Sequence, residues 1–157
     1  MSRDTDSPVF PRESDAVAEW LASNQTFHLM RDHPAHCRFF MGCCWGVKLG
    51  QDRSAIAAQA EKMLRENHSH KYNYDQKLLD RFYQPMAVKS MMAHDSYCCQ
   101  DVQFPSQPFP SPRQNRMFVG WREVGKDGEN LTDPCPEKCR PQNLTAGTFA
   151  AVDWTFC

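Results

Sequence analysis

Apolar and polar positions along the chain change period several times, and each change marks an element. Ile56, Ala60, Met63 and Leu64 recur at the spacing of one helix face, which predicts a helix over 52–66. Ser14 is a plausible N-cap ahead of Val17, Trp20 and Leu21, and this predicts an earlier helix over 15–23. Asn73 and Gln76 have the spacing of a capping box. The helix they open carries Leu78, Leu79, Phe82 and Tyr83 and is expected to stop near Pro85. Phe27 to Met30 is short and apolar before Pro34, which reads as a strand. Val88 to Ala93 reads as a second strand with His94 and Asp95 at its end, and Met117 to Gly120 as a short third one. The run Cys37 to Val47 is apolar throughout with two glycines; it fits a buried strand pair or a strand entering a tight turn. Residues 103–112 hold four prolines and read as an extended loop. From residue 125 onward the periodicity ends. The expected organisation is therefore an α/β portion over 1–124 and an irregular Cys- and Pro-rich tail over 125–157.

Composition narrows the class. A chain of 157 residues with 41% hydrophobic positions can bury a core. A net charge of −1 argues against a dedicated nucleic-acid binder, which would carry a basic stripe. No apolar run reaches the length of a membrane span, and the first twenty residues lack the apolar region of a signal peptide. Eight cysteines fit disulfides formed in an oxidising compartment, with pairing left open by the sequence. Four Asn-x-Ser/Thr sequons, at Asn24, Asn67, Asn130 and Asn143, agree with passage through a secretory pathway.

Candidate chemistry sits in five places. Asp4 and Asp6 form an Asp-x-Asp pair, which fits a hard divalent cation or simply a solvated terminus. Arg31-Asp32-His33 follows directly on an apolar strand, where ligands sit in open α/β sheets; it fits phosphate or substrate binding, a loop-bracing network, or, with His36 and Cys37, a zinc site. Gly42 to Gly46 places glycines about Trp45, which fits a bulged core strand or close approach to something flat. Asp75 and Gln76 open a helix, as capping groups or as a general base with a hydroxyl ligand. His94 ends a strand and is a candidate metal ligand.

Taken in order, these stretches resemble a known pattern. Arg3-Asp-Thr-Asp-Ser7, Arg12-Glu13, Ala16 to Ser23, Phe27 to His36, Gly42 to Gly46, Asp75-Gln76, His94-Asp-Ser96, Phe109 to Arg113 and Phe118-Val-Gly120 look like the C-terminal half of GT-A-type glycosyltransferase-like proteins. The resemblance covers residues 3–120. It implies a partial GT-A-like mixed sheet with flanking helices, and transfer of a sugar from a nucleotide-sugar donor to a glycan or glycoprotein acceptor. Asp4, Asp6 and His94 would hold Mn²⁺ or Mg²⁺; Asp75 would be the base; Arg3, Arg31, Asp32, His33, Trp45 and Gln76 would contact substrate. The resemblance also implies an N-terminal nucleotide-binding half ahead of residue 3, and residence in the Golgi lumen or outside the cell. Such proteins tend to have Gly where this chain has Cys43 and Cys44. The alternative reading, from the cysteines and sequons, is a secreted disulfide-stapled binding module without catalysis.

Overall fold

The computed structural model describes residues 1–67, 69–100, 105–122, 130–142 and 152–157. The sequon at Asn143, and parts of the 103–112 loop and of the 125–157 tail, lie outside the described residues, as does the boundary between the two portions. In chain order the elements are α1 (Pro11–Ala22), β1 (Phe27–Arg31), β2 (Trp45–Val47), α2 (Arg53–Arg65), α3 (Tyr74–Phe82), α4 (Gln84–Ala87) and β3 (Met91–Asp95), with a 3₁₀ turn at Glu137–Cys139. The three strands form a mixed sheet in the order β2-β1-β3, with β2 antiparallel and β3 parallel to β1. The fold is thus α/β.

Central β1 is buried at all five positions, and its alternation divides the core. Phe27 and Leu29 face Ile56 of α2, Leu79 of α3, Tyr83 and Ala87, with Phe40 and Trp45 completing this side. His28 and Met30 face α1. Met30 joins Ala16, Phe109, Val119 and the Cys43–Cys44 pair, and the His28 ring stacks on Trp20 at 5.1 Å. A strand sealed on both faces reads as a continuous apolar run rather than an alternating one.

Several boundaries differ from the pattern, each for a local reason. Helix α1 begins at Pro11, four residues early, because proline's fixed φ suits the first turn and its missing N–H is not needed there. Pro85 does not end the helical stretch; it opens α4 in the same way. Residues 88–90 complete that turn, so β3 starts at Met91 and takes in His94 and Asp95. Met117 to Gly120 forms a turn, not a strand: Asn115, Arg116 and Gly120 all have positive φ. Asp52 caps α2 by accepting from the Ala55 amide at 3.2 Å. Asn73 is left-handed and leaves the α3 amides uncapped, although Gln76 does reach it, donating to Asn73 Oδ1 at 3.0 Å.

Four disulfides join Cys37 to Cys98, Cys43 to Cys44, Cys99 to Cys139, and Cys135 to Cys157. Such a set persists in an oxidising environment. The third fastens the described part of the C-terminal segment to the body and the fourth closes that segment on itself; Leu131, Cys135 and Cys157 bury against Tyr97, Cys98 and Phe118. No helix among the described residues is long and apolar enough to cross a membrane.

The sheet carries a buried imidazole pair. His28 Nε2 lies 2.8 Å from His94 Nδ1, and His94 Nε2 lies 3.2 Å from Glu19 Oε2. A carboxylate only accepts, so His94 donates from Nε2, and with both rings neutral its Nδ1 accepts the hydrogen bond that His28 Nε2–H donates. Burial, with His94 and Lys48 adding repulsion, lowers His28 from 6.5 to about 3. Burial also lowers His94, against the pull of Glu19. The folded state thus disfavours the imidazolium. This contribution is intact above pH 6.5 and drains away as pH falls toward 3. Denaturant unfolding at pH 7.5 and pH 5 should show a loss of about 2 kcal/mol from His28 alone. His28→Phe should flatten that slope, and an unchanged slope in the variant would exclude the pair as its source.

Candidate functional site

The parallel strands β1 and β3 end side by side, at Arg31 and Asp95, and the residues that follow them define a buried polar hub. Asp32, 1% exposed, accepts from Ser96 Oγ at 2.6 Å, Arg113 Nη2 at 2.7 Å, Arg113 Nη1 at 3.0 Å and the Val119 amide at 2.9 Å. Arg12 of α1 adds an ion pair at 3.1 Å. Burial alone would raise this carboxyl, but Arg12, Arg113 and the hydrogen bonds outweigh it and hold it below the usual range. Burial lowers Arg12 to about 10, with Asp32 opposing and Arg113 reinforcing, so it stays charged at neutral pH. Both guanidiniums also reach the C-terminal segment. Arg12 donates to the carbonyls of Ser111 and Cys157, and Arg113 Nε donates to that of Phe156 at 2.7 Å.

Asp32 therefore fixes the Phe118–Gly120 turn, and this turn is one wall of a cavity of about 420 Å³. His36 and Phe118 stand together on that wall, with His33 packed behind them at 4.5 Å from the Phe118 ring. The opposite wall is the start of α3, with Asn73, Asp75 and Gln76. Asp4 and Arg122 contribute one charge of each sign, and Tyr72, 91% exposed, stands at the rim. His36 Nδ1 and Gln76 Oε1 have no hydrogen-bond partner among the described residues. Burial and neighbouring His33 lower His36 from 6.5 to about 4, so it meets a ligand as a neutral imidazole.

The floor is the turn at Gly42-Cys43-Cys44, which touches all the walls. A Cβ on Gly42 would lie 2.9 Å from Asp75 Oδ2, so the missing side chain leaves room for the carboxylate. A Cβ on Gly120, whose φ is +88°, would lie 3.2 Å from both sulfurs of the Cys43–Cys44 disulfide. Ser2 donates its hydroxyl to the Gly42 carbonyl at 2.9 Å and thereby places Asp4. At the other end of the loop, a Cβ on Gly46 would lie 3.0 Å from both the Trp20 ring and the Met1 sulfur. The flat object approached by these glycines is thus the protein's own.

Of the residues given a role by the resemblance, Asp4, Asp75 and Gln76 line the cavity, as does His36 of the zinc reading. The others do not. Asp6 is exposed and outside it. Arg3 pairs with Glu13 at 3.1 Å. Arg31 is sealed under the sheet end, donating from Nε to Asp95 at 2.7 Å, while its two terminal nitrogens have no hydrogen-bond partner among the described residues. Trp45 packs on Phe40 and Tyr83. Asp32 and His33 support the wall from behind. His94 is fully buried with both ring nitrogens engaged, so it is not a metal ligand at this cavity. A zinc site at His33, His36 and Cys37 is excluded because Cys37 is oxidised. Arg12 and Arg113, Ser2 and Arg122 carry no sequence signal of their own, although the first two fall within the stretches that bear the resemblance; Asn73 carries only the signal of a helix cap.

No group of three or more His, Cys, Asp or Glu among the described residues can hold a metal ion. Asp4 and Asp75 are the carboxylates that line the cavity, and a hard cation that takes one or two carboxylates and completes its shell from substrate oxygens and water would use them. Compared with family models, curated proteins and solved structures, the chain matches none.

Two variants test this architecture. Asp32→Asn should cost about 3–5 kcal/mol in denaturant unfolding, because two buried guanidiniums lose their counter-charge; a cost below 1 kcal/mol would show the hub to be dispensable. Gly120→Ala should cost about 1–2 kcal/mol from the positive φ alone, plus its clash with the disulfide. Gly50→Ala, where no atom lies within 4 Å, should be neutral or slightly stabilising. Equal midpoints for the two alanine variants would mean that the Gly120–disulfide contact constrains nothing.

Proposed function

We propose that this chain is a GT-A-like glycosyltransferase domain that binds the sugar diphosphate of a nucleotide-sugar in the cavity between α3 and the Phe118–Gly120 turn. The observation that carries the reading is the convergence of Asp4 with Asp75 and Gln76. Asp4 lies far in sequence from the other two, and all three are among those that the resemblance marks for metal, base and substrate. Arg122 supplies a cation to phosphate oxygens. Asn73 and Gln76 present amides to sugar hydroxyls, with the unpartnered Gln76 Oε1 as an acceptor. Tyr72 offers an aromatic face at the rim. Asp75 is placed to accept the proton of an acceptor hydroxyl on a glycan or glycoprotein. Asp4 and Asp75 would hold Mn²⁺ or Mg²⁺, which when bound offsets the charge of a departing diphosphate. The disulfides are compatible with work in the Golgi lumen or outside the cell.

The test is calorimetric titration of the full-length protein with UDP- and GDP-hexoses, with and without Mn²⁺. Asp4→Asn and Asp75→Asn should each weaken metal-dependent binding at least tenfold, while the unfolding midpoint without ligand stays within a degree or two. His94→Gln should lower stability and leave ion affinity intact. Unchanged affinity in both Asp variants would overturn the assignment. A folded protein that no nucleotide-sugar stabilises would instead favour the non-catalytic binding module, since a ligand of the native state must raise its stability.

A further inference from the structure

The six asparagines of the chain fall into two groups. Asn73 and Asn115 have positive φ, 61° and 51°. Asparagine tolerates this left-handed conformation better than other residues with a Cβ, so backbone geometry accounts for both. The other four, Asn24, Asn67, Asn130 and Asn143, are each followed two residues on by Thr or Ser, with no proline between. Ser and Thr occupy 16 of the 157 positions, and at that frequency fewer than one of six asparagines would meet the pattern by chance.

Nothing in the fold explains the three of these that lie among the described residues. Asn24, in the connection between α1 and β1, Asn67 after α2, and Asn130 are all exposed. None of their side-chain amides hydrogen-bonds to the described residues. Backbone groups alone are used: Gln51 Nε2 donates to the Asn24 carbonyl at 3.4 Å, and the Tyr74 hydroxyl to that of Asn67 at 2.6 Å. The four disulfides place the chain in the kind of oxidising compartment where such sequons are modified.

We infer that Asn24, Asn67 and Asn130 carry N-linked glycans. The side-chain nitrogen of each attacks the anomeric carbon of a lipid-diphosphate-linked oligosaccharide. An N–C bond forms, the C–O bond to the diphosphate breaks, the lipid diphosphate leaves, and the amide gives up one proton. Asn67 is tied by its carbonyl to the hydroxyl of Tyr74, at the start of α3. The glycans at Asn24 and Asn130 lie in other connections of the chain.

The test is site-resolved mass spectrometry on protein purified from the cells that make it, after release by peptide N-glycosidase in ¹⁸O-water. Release converts a glycosylated Asn to ¹⁸O-labelled Asp. Label is expected at Asn24, Asn67 and Asn130, and none at Asn73 or Asn115. Thr26→Ala expressed in the same cells should abolish the label at Asn24 while leaving Asn67 and Asn130 labelled. Unlabelled Asn at all three positions would overturn the inference, as would label at Asn24 that persists in Thr26→Ala. Neither result bears on nucleotide-sugar binding, which is read separately.

Discussion

A carboxylate with no water around it must be matched charge for charge, and Asp32 is the point at which this chain meets that demand. Two guanidiniums, a hydroxyl and a backbone amide surround it. Each comes from a different part of the chain: Arg12 from α1, Ser96 from the end of β3, and Arg113 and Val119 from the segment beyond. The desolvation of three charged groups is offset only when all the partners are in place, so the hub forms all together or not at all. That is the behaviour required of a joint that must hold five segments to one geometry, because the same guanidiniums carry the carbonyls of Phe156 and Cys157.

From this joint the constraint passes outward to the cavity. The Val119 amide fixes the turn that bears Phe118 and Gly120, and Gly120 rests on the Cys43–Cys44 disulfide. The disulfide closes the turn that begins at Gly42, and Gly42 gives way to the carboxylate of Asp75. Asp4 arrives from the other side through Ser2. A buried ion pair thus reaches the open polar site through a short run of packed contacts. The residues that do the holding are not those exposed to a ligand. Sequence reasoning gave Asp32 and His33 a substrate role; their place behind the wall makes them positioning residues.

What was legible in the sequence follows the same division. Helix α2 and strand β1 are legible because a local rule decides each: helical spacing in one, a sealed apolar run in the other. The turn over 117–120 was read as a strand because its residues are apolar, whereas what sets its conformation is positive φ at Asn115 and Arg116 just before it and at Gly120, and a hydrogen bond that the Val119 amide donates to Asp32, eighty-odd residues back. His94 at a strand end has the look of a ligand until its neighbour across the sheet, His28, takes one ring nitrogen and Glu19 the other. The spacing of Asp4 and Asp6 says nothing about which of them faces inward; that depends on Ser2 reaching Gly42. In each case the deciding contact is long-range, and a single sequence carries no record of it.

The replacement of His94 and Asp6 by Asp75 at the cavity bears on how any cation would be held. Three protein ligands make a site that retains its ion between turnovers. Two carboxylates, with water and substrate oxygens filling the shell, make one in which ion and substrate bind as a unit. Arg122 reinforces this, since a fixed cation at the cavity repels a bare metal ion but attracts its diphosphate complex. His36, held neutral by burial, adds no charge to either side of that balance. On the proposed function, the arrangement would therefore favour the complexed substrate over its separate parts, by leaving the ion's coordination incomplete.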